Sequence, residues 1–258
     1  MSTEYAHGLV GCDVNIKIAP SMEEPAVLKM FAGLRRSLSI LGLTHFEHEQ
    51  EEKVCRLNNG GNMDSKEERV VKLTMGSDLQ VIWGPNTPLD IGKEISRITT
   101  EDLIQNIEII QIESFNSQLY IDVDSTGNAY DRIAALAYSE NIIGAFLKAM
   151  SEATDGFHVA DNDVRLLFFI GESQTGAISI RGKTTKKEIL TGQYDNDPLR
   201  LFFGIQETRI PDSPDAFIAA LLAHISRVNE LARDVFFPTV VAKCGIQPAG
   251  AGDAVPRA

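Results

Sequence analysis

Two carboxylates in this chain have a spacing that supports catalysis. Asp122 and Asp124 end a hydrophobic stretch that begins at Leu119, and Ser125 and Thr126 follow them. Residues two apart on a β-strand point to the same side of the strand. One carboxylate could therefore attack a substrate while the other transfers a proton, so the spacing suggests covalent catalysis with acid–base assistance.

The stretch from Leu119 to Thr126 resembles the first motif of the haloacid dehalogenase phosphatases, a hydrophobic strand that ends in DxDxT. The resemblance implies a magnesium-dependent phosphatase or phosphotransferase. Asp122 would be the nucleophile and a magnesium ligand, and Asp124 the general acid and base. Other family roles would fall further along the chain: phosphate binding on Ser173 or Thr175, charge neutralisation on Lys183, Lys186 or Lys187, and magnesium binding on Asp195 or Asp197.

The surrounding sequence departs from that family and favours another interpretation. The family's metal motif resembles GDxxND, whereas Gln193 follows Gly192 here. Apolar and polar residues alternate from Leu119 to Asp124, as on a strand with one solvated face, whereas a central parallel strand is apolar on both faces. We therefore prefer a solvated carboxylate face that leads into a turn. The phosphoryl-transfer enzyme is the alternative.

Three further segments match known binding motifs only in part. Asp122 to Gly127 fits the first half of an EF-hand, but Ile133 stands where the closing glutamate belongs. Ala177 to Thr184 fits a relaxed Walker A pattern without its first glycine, and we expect an edge strand that ends in a basic turn. Gly171 to Gly176 lacks the residues of a P-loop or a nucleophile elbow, and we expect a hairpin turn.

The histidines give no complete catalytic or metal-binding set. His45 and His48 are three residues apart, so on a helix they could share one transition-metal ion. Because Glu47, Glu49, Glu51 and Glu52 surround them, we prefer to interpret 45–53 as a solvated acidic face, loop or turn. The other histidines, His7, His158 and His224, are isolated in the sequence, and their spacing assembles no nucleophile–histidine pair.

The periodicity of apolar residues indicates which elements would position these side chains. Alternation predicts strands and a 3.6-residue repeat predicts helices. Three helices are predicted: one follows a capping box at Ser21, one spans 129–153, and one begins at Ser213. The predicted strands lie at 9–19, 70–75, 79–83, 107–113, 119–124, 165–169 and 200–203.

We therefore predict an α+β fold with largely antiparallel sheet, built from hairpins and backed by three main helices. Residues 1–245 would form a single globular unit, with a possible internal boundary in the loop 84–92. Residues 246–258, rich in Gly, Ala and Pro, would form a disordered tail.

Composition and charge exclude several classes of protein. The 258 residues carry 24 Lys and Arg against 36 Asp and Glu, a net charge of −12 that repels nucleic acid and anionic lipid. No apolar run reaches the roughly 18 residues of a membrane span. Cys12, Cys55 and Cys244 are far apart and lack CxxC spacing, as in a reduced cytoplasmic chain. We expect a soluble protein with neither nucleic-acid nor membrane partners.

The functional expectation follows from how each motif departs from its family. We predict a non-catalytic, homo-oligomeric binding, scaffold or regulatory protein of the cytosol, without cofactor or metal, because hairpin strands supply edges that pair across symmetric interfaces. The alternative is a magnesium-dependent phosphatase or phosphotransferase, with Asp122 and Asp124 as catalytic residues and Asp122, Asp124 and Asp197 as metal ligands.

Overall fold

The structure, a computed structural model, describes residues 7–18, 24–60, 68–75, 78–84, 86–107, 109–123, 162–170, 173–181, 184–189, 199–208, 210–211 and 213–238. The α-helices within these ranges are α1 (Glu24–Ser37), α2 (Leu89–Asn106) and α3 (Pro214–Glu230), and a π-helical turn at Leu231–Phe236 follows α3. The strands are β1 (His7–Ile18), β2 (His45–Glu49), β3 (Val54–Asn58), β4 (Arg69–Thr74), β5 (Asp78–Trp83), β6 (Ile109–Val123), β7 (Asn162–Ile170), β8 (Ser173–Arg181), β9 (Thr184–Ile189) and β10 (Leu199–Glu207).

The α+β class is confirmed over the described part of the chain. Each strand pair whose register is described runs antiparallel, and three helices accompany the sheet. Two of these helices, α1 and α3, lie where the sequence predicts them. The third, α2, was not predicted, and the predicted helix at 129–153 lies outside the described residues.

The chain divides into two compact units. The first contains Gly8–Ser117 and Gln206–Ser226, and the second contains Met1–His7, Gln118–Ile205 and Arg227–Ala258. In the first unit, hydrogen-bonded strands follow the order β2-β3-β4-β5-β1-β6, with β6 belonging to this unit as far as Ser117. In the second unit the order is β10-β7-β8-β9, with β10 belonging to this unit as far as Ile205.

The sheet of the first unit has an apolar face and a polar face. Leu57, Val71 and Val81 are aligned across β3, β4 and β5, and each is at most 2% exposed. The adjacent row across the same three strands consists of Arg56, Lys72 and Gln80. These side chains point to the opposite face and are only partly buried. Since α1 contacts β3 and α2 contacts β5, the two helices cover the apolar face.

The apolar stripe of α1 determines how it lies on that sheet. Val27, Met30, Phe31 and Leu34 recur at helical spacing and are at most 1% exposed. A 3-10 turn at Ser39–Leu41 follows the helix, and Gly42 closes the turn with φ of 86°. Glycine adopts this left-handed conformation without a steric penalty, so the chain can reverse here and enter β2.

Arg69 links the turn that precedes β2 to the sheet. The guanidinium of Arg69 on β4 donates from Nη1 to the carbonyl of Leu41 at 2.7 Å and from Nε to Oγ1 of Thr87 at 3.3 Å. A charged donor strengthens such bonds. The contact ties the turn before β2 to an interior strand.

Two segments differ from the predictions. The segment at 45–53, predicted as a solvated acidic face or loop, contains strand β2, whose backbone pairs with β3 from His45 opposite Asn58 to Glu49 opposite Val54. The strands predicted separately at 107–113 and 119–124 belong to one uninterrupted strand, β6 (Ile109–Val123). The residues between them are held extended inside the protein: Phe115 and Ser117 are fully buried, and Ser114 accepts a hydrogen bond from Gln206 at 3.0 Å.

The predicted loop at 84–92 is also too long, because α2 begins at Leu89. Gly92 lies inside this helix, where its missing side chain makes room for the indole of Trp83. The predicted tail at 246–258 lies outside the described residues.

The strands of the second unit correct one more expectation. Strand β8 pairs with both β7 and β9, so the Walker-like segment beginning at Ala177 lies on an interior strand rather than an edge strand. The hairpin predicted near Gly171 is confirmed between β7 and β8. The apolar runs at 165–169 and 200–203 fall on β7 and β10, and β7 lies between β10 and β8.

The start of α3 follows from its first residues. Ser213 accepts a hydrogen bond at Oγ from the backbone N–H of Ala216 at 3.3 Å, as the sequence predicts for an N-cap. Pro214 occupies the first helical position. Phe217 then packs on Phe115 of β6, with ring centroids 5.1 Å apart.

Candidate functional site

The clearest candidate site is the edge formed by β2. This five-residue strand is the terminal strand of its sheet, with β3 as its hydrogen-bonded neighbour among the described strands. An edge strand presents unpaired N–H and C=O groups that can pair with another chain. The residues of β2 are exposed or only partly buried, so this edge is accessible over its length.

One face of β2 packs against α1. The rings of Phe46 and Phe31 are 5.7 Å apart, and Nε2 of His48 lies 3.1 Å from Oε1 of Glu24. Because Phe46 and His48 are two residues apart on a strand, they point to the same side. The helix therefore covers this side of β2.

The other face of β2 carries charged side chains that are already paired within the sheet. Glu49 accepts a hydrogen bond from Nη1 of Arg56 at 2.6 Å. Glu47 accepts one from Nδ2 of Asn58 at 3.2 Å, and Nε2 of His45 lies 3.6 Å from the same carboxylate oxygen. These contacts direct the two glutamates toward β3.

A groove of about 480 Å³ runs between α1 and the start of β2. Phe31 is fully buried, whereas Arg35 and Arg36 are exposed, so the groove has an aromatic base and a cationic margin. Just beyond it, Ile40 is 86% exposed. The lining residues are Leu28, Phe31, Ala32, Arg35, Arg36, Ser39, Thr44 and Phe46.

An acidic turn lies at the other end of β2. Glu51 and Glu52 are exposed in the turn that joins β2 to β3. Lys53 closes this turn in a left-handed conformation with φ of 53°. The two ends of β2 thus carry opposite charges, with arginines before the strand and glutamates after it.

The thiol of Cys55, which lies next to this site, is unreactive. Cys55 on β3 pairs with His48 across the ladder and is fully buried. Burial, together with the smaller effect of the nearby Glu24 carboxylate, raises the pKa of this thiol to about 11. A protonated thiol is neither a nucleophile nor a good metal ligand, so Cys55 acts as an apolar core residue.

The alternative in which His45 and His48 share one metal ion fails for a geometric reason. On a helix these residues would share a face, but on strand β2 residues three apart point to opposite sides. Within the described ranges, no group of three or more His, Cys, Asp or Glu residues could hold a metal ion.

The phosphoryl-transfer residues remain predictions. Asp122 lies on β6, while Asp124 and Asp197 lie outside the described residues. Of the other residues that the resemblance implies, Lys183 and Asp195 also lie outside them. The remainder fall on two strands, with Ser173 and Thr175 on β8 and Lys186 and Lys187 on β9.

A buried contact between a histidine and a glutamate was not predicted from the sequence. Nδ1 of His224 on α3 lies 3.0 Å from Oε2 of Glu207 on β10, and its imidazole is 1% exposed. The ring also packs 5.7 Å from Phe115. His224 interrupts the apolar stripe of α3 between Leu221 and Val228, and a polar residue at such a position is the signal of a buried partner. Glu207 and His224 belong to the same unit, and the glutamate holds the imidazole in place.

Comparisons with known proteins leave the function to be argued from this geometry. No protein-family model matches the chain, and no curated protein matches it. Of the helices in the described ranges, none is both long and apolar enough to cross a bilayer.

Proposed function

We propose that the protein is a non-catalytic, homo-oligomeric binding, scaffold or regulatory protein of the cytosol. The free edge of β2 is the observation that carries this proposal. Proteins commonly protect such edges with lysine, proline or charges that point into the approaching strand. Strand β2 contains no lysine or proline, and its two glutamates bind Arg56 and Asn58 of its own sheet. The edge is therefore open to a further strand.

The adjoining groove gives an incoming chain a second surface to contact. A stable interface usually buries about 800 Å² on each partner, which a five-residue strand cannot supply alone. The exposed side of α1, with Ala32, Arg35 and Arg36, lies beside the strand and extends the available area. Strand pairing and helix contact together support a specific association.

The cytosolic location is part of the same proposal. It is supported by three widely separated cysteines, of which Cys55 is a buried free thiol. Reduced thiols of this kind are typical of intracellular proteins.

The alternative, magnesium-dependent phosphoryl transfer, requires Asp122 and Asp124 together. Only Asp122 falls within the described part of the chain. The alternation of apolar and polar residues from Leu119 to Asp124 departs from the central strand of that family, so we prefer the surface at β2 as the basis for a function.

Sedimentation velocity over a wide range of protein concentration tests the proposal. We expect a species larger than the monomer, whose fraction increases with concentration. A monomer at every concentration would contradict the homo-oligomeric role. Release of phosphate from generic phosphate esters in the presence of magnesium, lost in Asp122→Asn, would contradict the non-catalytic role.

A further inference from the structure

We infer that the partner at this edge is a second copy of the chain, and that the two β2 strands pair antiparallel with Phe46 on the two-fold axis. The inference rests on the proposed homo-oligomeric function and specifies its interface. It follows from the sequence of β2, from the two charged groups at its ends and from the symmetry that two identical strands must obey.

Symmetry leaves few possible registers. When two identical antiparallel strands pair about a two-fold axis, one residue must lie on the axis opposite its own copy. In a strand as short as β2, the axis must pass near its middle to retain several pairs. The candidates are therefore Phe46, Glu47 and His48.

The side chains favour one of these three. An axis at Glu47 places that carboxylate against its own copy, and an axis at His48 places Glu47 against Glu49 of the second copy. Like charges directly opposite each other destabilise a sheet. An axis at Phe46 instead places His45 against Glu47 of the second copy, and symmetry repeats this pair. The two phenylalanine rings then meet at the centre, on the face that already holds Phe31.

The same register brings the charged ends of the strand together. With Phe46 on the axis and the strands antiparallel, the turn after β2 of the second copy lies on the side of the segment that precedes β2 in the first. Leu41 ends the turn that follows Arg35 and Arg36, and Ser39 of that turn lines the groove with them. The acidic turn of each copy thus approaches the cationic margin of the other, and the exposed side chain of Ile40 lies at the contact.

This charge pattern identifies a second copy as the occupant. One chain carries the arginines before β2 and the glutamates after it, so two antiparallel copies satisfy both pairs at once. The chain's net charge of −12 repels an identical chain at long range. Local complementarity at β2 is therefore needed to orient the encounter, and added salt weakens both effects.

Cysteine cross-linking tests the register. Opposed Cα atoms in an antiparallel pair are about 4.5 to 5.5 Å apart, within the range that a disulfide spans. Phe46→Cys should therefore form a disulfide-linked dimer on mild oxidation. Glu47→Cys and His48→Cys should not, because each residue is displaced from its own copy along the strand. Wild type, with its three native cysteines, supplies the baseline.

The outcomes separate this inference from the function on which it rests. Preferential cross-linking of Glu47→Cys or His48→Cys would overturn the register while leaving the oligomer in place. A dimer in sedimentation that none of the three variants cross-links would overturn the β2 interface. A monomer would overturn both proposals.

A charge exchange gives a second test that does not alter the strand itself. Arg36→Glu and Glu51→Arg should each weaken dimerisation on the order of tenfold, since symmetry removes two charge pairs at once. The double variant should regain most of the wild-type affinity. Both residues are exposed, so the fold should tolerate the changes. Additive losses in the double variant would contradict the contact between the acidic turn and the arginines.

Discussion

Replacing Gly92 with alanine should destabilise the protein, although alanine is the better helix former. A Cβ atom at Gly92 would lie 2.6 Å from Cδ2 and Cζ2 of Trp83, and closer still to Cε2. Non-bonded carbon atoms normally stay about 3.5 to 4.0 Å apart. The indole would therefore have to move by about 1 Å, yet Trp83 is only 3% exposed and is surrounded by neighbours.

Two opposing terms set the size of the effect. Overpacking a core costs about 1 to 3 kcal/mol and sometimes more, and a contact this short belongs at the upper end. Alanine in place of glycine within a helix returns about 1 kcal/mol. We therefore expect Gly92→Ala to lower the free energy of unfolding by about 2 kcal/mol.

Urea denaturation followed by tryptophan fluorescence measures this loss at the site itself, because Trp83 is the only tryptophan of the chain. The midpoint should fall while the denaturant dependence stays the same. Gly33→Ala is the matched control: its Cβ would meet Oδ2 of Asp102 at 3.6 Å, an ordinary contact, so it should stabilise α1 by about 0.5 to 1 kcal/mol. If Gly92→Ala equals or exceeds wild-type stability with unchanged emission, the packing of α2 on β5 is not as described.

Three further predictions concern other parts of the described chain. Ser213→Ala removes the hydrogen bond that caps α3 at the backbone N–H of Ala216, and urea denaturation should show a loss of about 1 kcal/mol in the free energy of unfolding. An unchanged free energy of unfolding would contradict a stabilising role for this cap. Burial and the neighbouring Glu101 raise the pKa of Asp102, so its ionisation opposes folding above its ordinary pKa of 3.8. Asp102→Asn should therefore be more stable than wild type at neutral pH, and denaturation at decreasing pH should show this gain shrinking; a constant gain would contradict the cause. Cys55, with a pKa of about 11, should resist thiol reagents until the protein unfolds, as peptide mapping would show, and rapid labelling of the folded protein would contradict its burial.

The sequence predicts elements well where burial follows a simple period. The stripe from Val27 to Leu34 gives α1, and the alternation around Val71 and Val81 gives the β4–β5 hairpin. In both places the buried residues are large and apolar, so the periodicity of the sequence alone reveals the element.

Helix α2 escapes prediction because its buried face is not apolar. Gly92, Ser96, Thr99 and Thr100 are all buried on it, together with few large side chains. The hydroxyl of Ser96 donates a hydrogen bond to the backbone carbonyl of Gly92 at 2.9 Å. Small polar residues of this kind favour turns and loops, and the close packing of Gly92 on Trp83 becomes visible only in the fold.

The candidate site is also hidden from sequence analysis. Strand β2 reads as a solvated acidic segment because Glu47 and Glu49 dominate its composition, and their partners Arg56 and Asn58 become visible only once β3 lies alongside. Which strand ends the sheet is a property of strand order, and no local pattern encodes it. His224 could have been found, because it stands as a polar residue on an otherwise apolar helix face.

Amide hydrogen exchange at two protein concentrations is the most direct test of self-association through β2. Pairing of two edges converts exposed N–H groups of residues 45–49 into hydrogen-bonded ones, so exchange there should slow as concentration rises. Residues 69–74 on the interior strand β4 should exchange slowly at both concentrations and serve as the internal control. Exchange at 45–49 that does not change with concentration, in a sample that sedimentation shows to associate, would contradict the central claim.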